Sequence, residues 1–527
     1  MEITESAGLS DSARVPYRTK FRVFSGEANL RAEGLKLSGE YDVFMIRGQR
    51  NENSYTREGI PMSICFSGLD TPCDVHPVTI DVSPTHPLMQ LAQVIPWQAL
   101  TDMVLHDLKR TTAKGKWWLG RKLTLRIHLG AFLLQWLYHL TDRQVEWAIK
   151  DNAAYQLFCG RGLVDPWHAP DHTKIEAFRS RLSPETQRQV ANAVAVWATQ
   201  LGFADPAAMD IDSTVQEANI AYPSDAHLMV KMTLLVNKVW MYMKQNVSSF
   251  ADFMPCVDVK AVKAKARAYW FRDRKEPDHA KTMFQELWHE AFAQISHVRK
   301  YFDVLLDDDI QRMPWTIRRA LDQVNEHCSN LFLHVASFMC RGVVISDKAL
   351  SFHARAVSCF NKGKAAHALE FGRAFQLGRI GGNFLVVGTC TSIRMEDKAS
   401  VRPMVEEHQG LFGQGMLQSV GTDKGHYSRT NSNYLHTVAG LKELGLQQPG
   451  LDIGGLAESE AETRARLADR RAGIEPLIGH AKQGGQLGQS RMKTDDTTLA
   501  AGYSAIGGFN LRQLIRHLLG KDIKPMG

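Results

Sequence analysis

The spacing of apolar residues changes character along the chain. Residues 1–85 mix glycine, proline and charge around short apolar runs, VFMIRG and VTIDV, that predict brief strands and no recognisable unit. From about residue 86 the repeat becomes helical. Thr141 and Gln144 make a capping-box pair ahead of VEWAI, and Ser183 with Pro184 opens a helix whose Val190, Val194, Trp197 and Leu201 recur at steps of four, three and four. Gly202 supplies its stop. Between about 226 and 345, Phe284, Trp288, Ala291, Ile295, Val298, Phe302 and Leu305 alternate four- and three-residue steps, predicting the seam of one long helix packed in a bundle or in a dimer coiled coil. Strand-like runs return in FLVVGTCTSI and LQSVGT, followed by helices to the end. The fold class expected is therefore α/β plus all-α, with a helical block set inside the α/β part.

Composition narrows the picture modestly. At 527 residues with 44% hydrophobic content the chain is expected to fold as two to four domains. A formal net charge of +7 permits a nucleic-acid partner without requiring one. The eight cysteines form no C-x-x-C pair, which argues against a thiolate metal site and fits reduced thiols. The acidic, polar start MEITESAGLSDSAR is unlike a signal peptide, and the longest apolar run, GAFLLQWLYHL, is too short to cross a bilayer. A cytoplasmic location with no membrane contact is expected.

Chemistry concentrates in three stretches, MDIDSTVQEANIAYPSDA, SVGTDKGHYS and RRAGIEPLIGHAK. Asp212 and Asp423 lie in or just after strand-like runs, and Glu475 lies in a helix-like segment with Lys482 seven residues on. Three carboxylates in this layout suit phosphodiester cleavage, in which two Mg²⁺ ions serve both ends of an in-line displacement and need hard oxygen ligands. Alternatives remain at each position. Asp210 and Asp212 would face the same way on a strand, so alternation alone does not choose between them. Asp423 could simply close a strand in a turn. Arg471, Glu475 and Lys482 would share one helix face, which could equally be a solvated charge stripe; Gly473 weakens that helix, and Pro476 would remove a backbone bond or start a new helical segment. A basic run at 109–122, with Lys109, Arg110, Lys114, Lys116, Arg121 and Lys122 around Trp117 and Trp118, contains no acid. It could neutralise DNA phosphates or be a solvated loop. From Pro476 to the end, seven basic residues outweigh three acids.

These stretches resemble DDE transposases of bacterial insertion sequences, in particular the insertion sequence five group and its relatives. Asp212, Ser213 and Thr214, continued by QEANIAYPSDA, match the family's first motif and single out Asp212 over Asp210. The second motif commonly reads Asp, Lys, Gly, aromatic, Tyr, with an asparagine further on; here Asp423, Lys424 and Gly425 are followed by His426, Tyr427 and Asn431. A tyrosine usual three residues before the arginine is replaced by Ala468. HPLMQLAQVIPWQAL, LTDRQVEWAIKDNAAYQLFCG and FNKGKAAHALEFG extend the likeness over roughly 86–225 and 345–520.

The resemblance implies an RNase H-like catalytic domain at 203–225 plus 346–527, a helical insertion at 226–345, a helical DNA-end-binding domain at 86–202, and a region of unknown role at 1–85. It implies that Asp212, Asp423 and Glu475 are the catalytic residues and hold Mg²⁺, for which Mn²⁺ could substitute. Arg471, Lys482 and Lys424 would contact DNA, along with Lys114, Lys116, Arg121 and Lys122. The activity would be metal-dependent cleavage at element ends and strand transfer into target DNA. Its partners would be terminal inverted repeats, target DNA and a second copy of the chain in a homodimer, with the protein nucleoid-associated when bound. A domesticated DNA nuclease of the same fold and a non-catalytic DNA-binding protein are the rival readings.

Overall fold

A computed structural model of the chain describes residues 82–111, 122–160, 169–252, 255–273, 275–345, 348–354, 356–361, 369–389, 394–446, 448, 450 and 458–520. It also describes a short antiparallel pair, β1 (Ile60–Met62) and β2 (Val78–Ile80). β2 falls in the VTIDV run, whereas VFMIRG lies outside the described residues. The chain divides into two compact units, one ending at Arg181 and joined by 515–521, the other spanning Leu182–Leu514. Among the described residues no helix is long and apolar enough to cross a membrane.

The first unit is helical: α1 (Pro87–Val94), α2 (Trp97–Thr111), α3 (Lys122–Tyr138), α4 (Asp142–Asp151), α5 (Ala153–Phe158) and α6 (His172–Arg181). The apolar run of α3 is its core, with Leu129, Ala131, Phe132, Leu133 and Leu134 at 0–1% exposure. The capping box forms in both directions, Gln144 N donating to Thr141 Oγ1 and Thr141 N to Gln144 Oε1. Arg126 lies 3.1 Å over the Trp97 ring and donates to the Phe158 carbonyl at 2.7 Å; burial pushes its guanidinium down to about 9.

The second unit begins with α7 (Pro184–Gln200), capped by Ser183 Oγ and ended where Gly202 takes a positive φ of 74°. Its sheet contains β3 (Ala208–Glu217), β4 (Ser358–Asn361), β5 (Leu369–Ile380), β6 (Phe384–Val387), β7 (Ser419–Thr422) and β8 (Glu443–Gly445). The order is β4-β5-β3-β7-β8, with β6 also on β5. β5 is antiparallel to β3, β4 and β6, whereas β7 is parallel to β3 and to β8.

Two asparagines serve β6 where, among the described residues, no further strand does. Val387 N donates to Asn192 Oδ1 and Val387 O accepts from its Nδ2, at 2.8 and 2.9 Å. Asn510 repeats this pairing at Leu385, at 2.9 and 2.7 Å. A side-chain amide offers the same donor and acceptor as a peptide, so the strand's polar groups stay satisfied in a buried setting.

Between β3 and β4 lies a helical insertion of α8 (Asp225–Asn246), α9 (Val259–Trp270), α10 (Pro277–Arg299), α11 (Asp307–Arg312) and α12 (Trp315–Arg341). Met229, Val236, Trp240, Leu287, Ile295 and Val324 are among its core. The predicted seam is buried at Phe284, Ala291, Ile295, Val298 and Phe302. It does not run along one helix, because α10 stops at Arg299. Tyr301 turns aside to stack on Trp240, ring centroids 5.5 Å apart, and Phe302 enters the core from a short 3-10 turn. After β6 follow α13 (Asp397–Phe412), α14 (Arg429–Asn433), α15 (Glu458–Ala472), α16 (Ile474–Gln483) and α17 (Asp495–Leu518).

Candidate active site

Parallel pairing of β3 with β7 builds the site. The ladder runs from Ala208↔Ser419 to Ile211↔Thr422, so Asp212 and Asp423 stand one residue beyond the last pair on adjacent strands. Burial raises the Asp212 carboxyl above its ordinary value, against the opposing effects of Arg471 and the Ser213 N–H, and the charge of Asp423 adds a smaller push in the same direction as burial. Ser213 N donates to Asp212 Oδ1 at 2.8 Å, and Arg471 Nη2 donates to Asp212 Oδ2 at 2.8 Å.

Asp210, two residues earlier, has a different environment. It is wholly buried and accepts from Arg470 Nε at 2.9 Å, with Arg379 Nη1 at 3.8 Å. Arg470 also donates to Ser419 Oγ at 2.8 Å. Gly421 makes this possible, since a Cβ there would lie 2.4 Å from Asp210 Oδ1. Consecutive arginines on α15 thus take alternate aspartates of β3, one pair sealed in the interior and one at the site.

Asp423 is fixed by a residue whose role sequence reasoning missed. His426, fully buried in the turn Lys424–His426, directs Nδ1 at Asp423 Oδ1. That hydrogen bond holds the Asp423 carboxyl below its ordinary value, against the opposing effect of burial. Asn431 Nδ2 in turn donates to the His426 and Lys398 carbonyls, at 2.9 and 2.8 Å, and so fixes the turn. The Asp-x-x-His spacing was the signal available. Lys424, beside Asp423, is exposed.

Glu475 sits in the first turn of α16 with its side chain 64% exposed, 3.3 Å from Arg471 Nη1. Arg471 therefore bridges Asp212 and Glu475. Arg471 does not share one continuous helix with Glu475 and Lys482: α15 ends at Ala472, Gly473 is the junction, and Pro476 lies in the opening turn of a new helix, the second of the two outcomes its position allowed, where its missing N–H costs nothing. Lys482 occupies the last turn of α16, half-buried, at the end away from Glu475. The loop after α16 is tied to β3 by Gln216 Nε2, which donates to the Gln486 carbonyl at 2.8 Å, and by Glu217 N to Gly488 O at 3.0 Å; Gln216 Nε2 also donates to the Thr498 carbonyl in the first turn of α17 at 3.1 Å. Lys114, Lys116 and Arg121 lie outside the described residues; Lys122 opens α3, its side chain outside the description.

Among the described residues no three His, Cys, Asp or Glu side chains meet as a preformed metal cage. The donor set nevertheless fits a hard cation. Asp212 and Asp423 stand one residue beyond the last pair of adjacent parallel strands, and their carboxylates are hard oxygen donors. Gly425 leaves open a space whose Cβ position is 3.2 Å from both Asp423 Oδ1 and Asp397 Oδ2. Mg²⁺ commonly takes one or two carboxylates and completes its shell with water and substrate phosphate.

Comparison with known proteins bears on the first unit. Residues 78–181 match a family described as "Transposase domain (DUF772)", ending at the last residue of that unit before the second begins. An uncharacterised protein, ORF8 in the nfe locus of Rhizobium meliloti, is 29% identical over 154 residues, covering 28% of this chain and 70% of that protein. No solved structure matches. Over residues 78–181 the chain is thus similar to a transposase domain family, and the match is confined to the first unit.

Proposed function

We propose that the chain is a metal-dependent DNA transposase whose second unit is an RNase H-like catalytic domain. The observation that carries this reading is the parallel β3–β7 pairing, which ends with Asp212 and Asp423 adjacent. The strand arrangement supports it: an antiparallel β6-β5-β3 set continues into parallel β7 and β8, and Asp423 leaves the carboxyl end of its strand, where ligands sit in open α/β sheets.

Mg²⁺, or Mn²⁺ in its place, would be held by Asp212 and Asp423 with Glu475 across from them, and when bound would activate water and neutralise the departing oxygen. His426 and Arg471 orient these carboxylates. Lys424 and Lys482 offer point charges to phosphates, and Arg471 presents a planar fork to the same groups once DNA competes for it. The transposase domain of the first unit would recognise the terminal inverted repeats, with the 109–122 run on their backbone. Cleavage at the element's ends frees a 3′-hydroxyl that attacks target DNA.

The test is strand cleavage of end-labelled DNA carrying the repeats that flank the gene, in Mg²⁺ or Mn²⁺. Asp212→Ala, Asp423→Ala and Glu475→Ala should each abolish cleavage and leave end binding in place. Full cleavage by the Asp212→Ala protein would overturn the assignment.

A further inference from the structure

The helical insertion carries a cationic, aromatic face that neither the core nor the proposed active site uses. α9 points Val262 and Ala266 into the insertion's core, and Lys260, Lys263 and Arg267 are exposed on its outside. Steps of three and four residues put these cations on one stripe, which continues to Trp270 at 38% and Phe271 at 79% exposure. Lys265, off the stripe, is occupied by Glu290 at 3.4 Å. Lys260, Lys263 and Arg267 have no carboxylate partner among the described residues, and α9 itself contains no acid. From Val259 to Lys275 the chain holds seven basic residues and one acid, Asp273; Asp258 at the N-cap and Glu276 and Asp278 beyond the turn are the nearest acids in sequence. The rings are held as well as exposed. Trp270 stacks on His227 from the first turn of α8, centroids 4.2 Å apart and planes 23° apart, and the Arg267 guanidinium lies 5.9 Å from the Phe271 ring centroid.

Unpaired cations over a rise of about 10 Å match the repeat of a polyanion rather than a single acidic group. Exposed indole and phenyl rings at the end of such a stripe are costly in water, and they are what an unpaired base stacks on. We propose that this face of α9 is a second DNA-contact surface, which holds the phosphates of a strand along Lys260, Lys263 and Arg267 and stacks its unpaired bases on Trp270 and Phe271. The inference rests on the transposase reading only in that the protein handles DNA; it assigns no role to the carboxylates.

The experiment titrates the full chain with a fluorescein-labelled oligonucleotide, single-stranded or annealed, across a range of KCl. For Lys260→Ala/Lys263→Ala/Arg267→Ala the slope of log K against log salt on the single strand should fall by about two units, at about 0.7 per lost phosphate contact. Trp270→Ala/Phe271→Ala should weaken single-strand binding at least about fivefold and leave duplex binding and the salt slope unchanged. Lys260→Arg/Lys263→Arg should keep the wild-type slope, which separates lost charge from lost fold. If the wild type binds DNA and neither triple nor double variant alters single-strand binding, the inference fails and the transposase reading stands. If the wild type binds no DNA, both fail.

Discussion

The guanidinium of Arg379 fills the space beside Gly473 that any side chain would need: a Cβ there would lie 2.2 Å from Arg379 Nη1. From this position Arg379 donates to the Arg470 carbonyl at 2.7 Å and to Asn383 Oδ1 at 2.8 and 3.0 Å. The glycine is thus where β5 reaches the junction between the helix bearing Arg471 and the helix bearing Glu475. Gly473→Ala should overpack a buried contact and cost about 1–3 kcal/mol, measured by urea unfolding. Cleavage should fall with it, because displacing the Arg379 guanidinium breaks its hold on the Arg470 carbonyl at the junction of the two helices. Wild-type stability for this variant would show that Arg379 can move aside freely.

His408 makes part of the fold's acid sensitivity attributable. It is fully buried in α13, donates from Nε2 to the Pro206 carbonyl at 2.8 Å, and among the described residues leaves Nδ1 without a partner. Burial pushes its imidazolium down to about 4 from an ordinary value near 6.5, although the carbonyl favours the proton. Because the folded value is depressed, the unfolded chain binds more protons between those two values, and stability is lost as pH falls from about 6.5 toward 4. His408→Gln keeps a donor for Pro206 and removes the titration. Urea unfolding at pH 7 and pH 5 should show a smaller loss for the variant than for the wild type; equal losses would assign the acid sensitivity elsewhere.

Local signals in the sequence were legible and distant partners were not. Thr141 with Gln144, Ser183 with Pro184, and Gly202 act within a few residues, and each forms the cap or stop expected of it. The period of the insertion was readable, but the end of α10 was not, since Tyr301 leaves the helix for Trp240 on another element. The same limit applies at the candidate site. Spacing puts Arg471, Glu475 and Lys482 on one face if the helix runs on, and Gly473 and Pro476 left a new segment possible; the packing of Arg379 against Gly473, remote in sequence, was not readable. Alternation left Asp210 and Asp212 equivalent because what separates them, burial against Arg470 for one and a place beyond the β3–β7 ladder beside Arg471 for the other, comes from elements distant in sequence.

His426 should matter to Asp423 beyond its packing. Its Nδ1 fixes one carboxylate oxygen and leaves the other for a ligand, an outer-shell role whose loss commonly costs about 10–100-fold in metal affinity or activity. We expect His426→Ala to lose cleavage on that scale and His426→Asn, which can still donate to Asp423, to recover part of it. Mn²⁺ titration followed by electron paramagnetic resonance reads metal affinity apart from DNA. Unchanged affinity and cleavage in His426→Ala would reduce the histidine to a core residue.

Asp210 and Asp212 offer the sharpest separation of fold from chemistry. Removing Asp210 leaves Arg470, whose side chain is only 4% exposed, as an uncompensated charge, and breaking a buried pair in this way costs about 3–5 kcal/mol. Removing Asp212 strands Arg471 less severely, since its side chain is 20% exposed and keeps Glu475. Asp210→Ala should therefore unfold at much lower urea, and Asp212→Ala should stay close to wild type in stability. Cleavage should show the opposite order under conditions where both proteins are folded: Asp212→Ala without activity, Asp210→Ala with a measurable share of it. A stable, inactive Asp210→Ala beside an active Asp212→Ala would exchange their roles and move the proposed metal ligand two residues up β3.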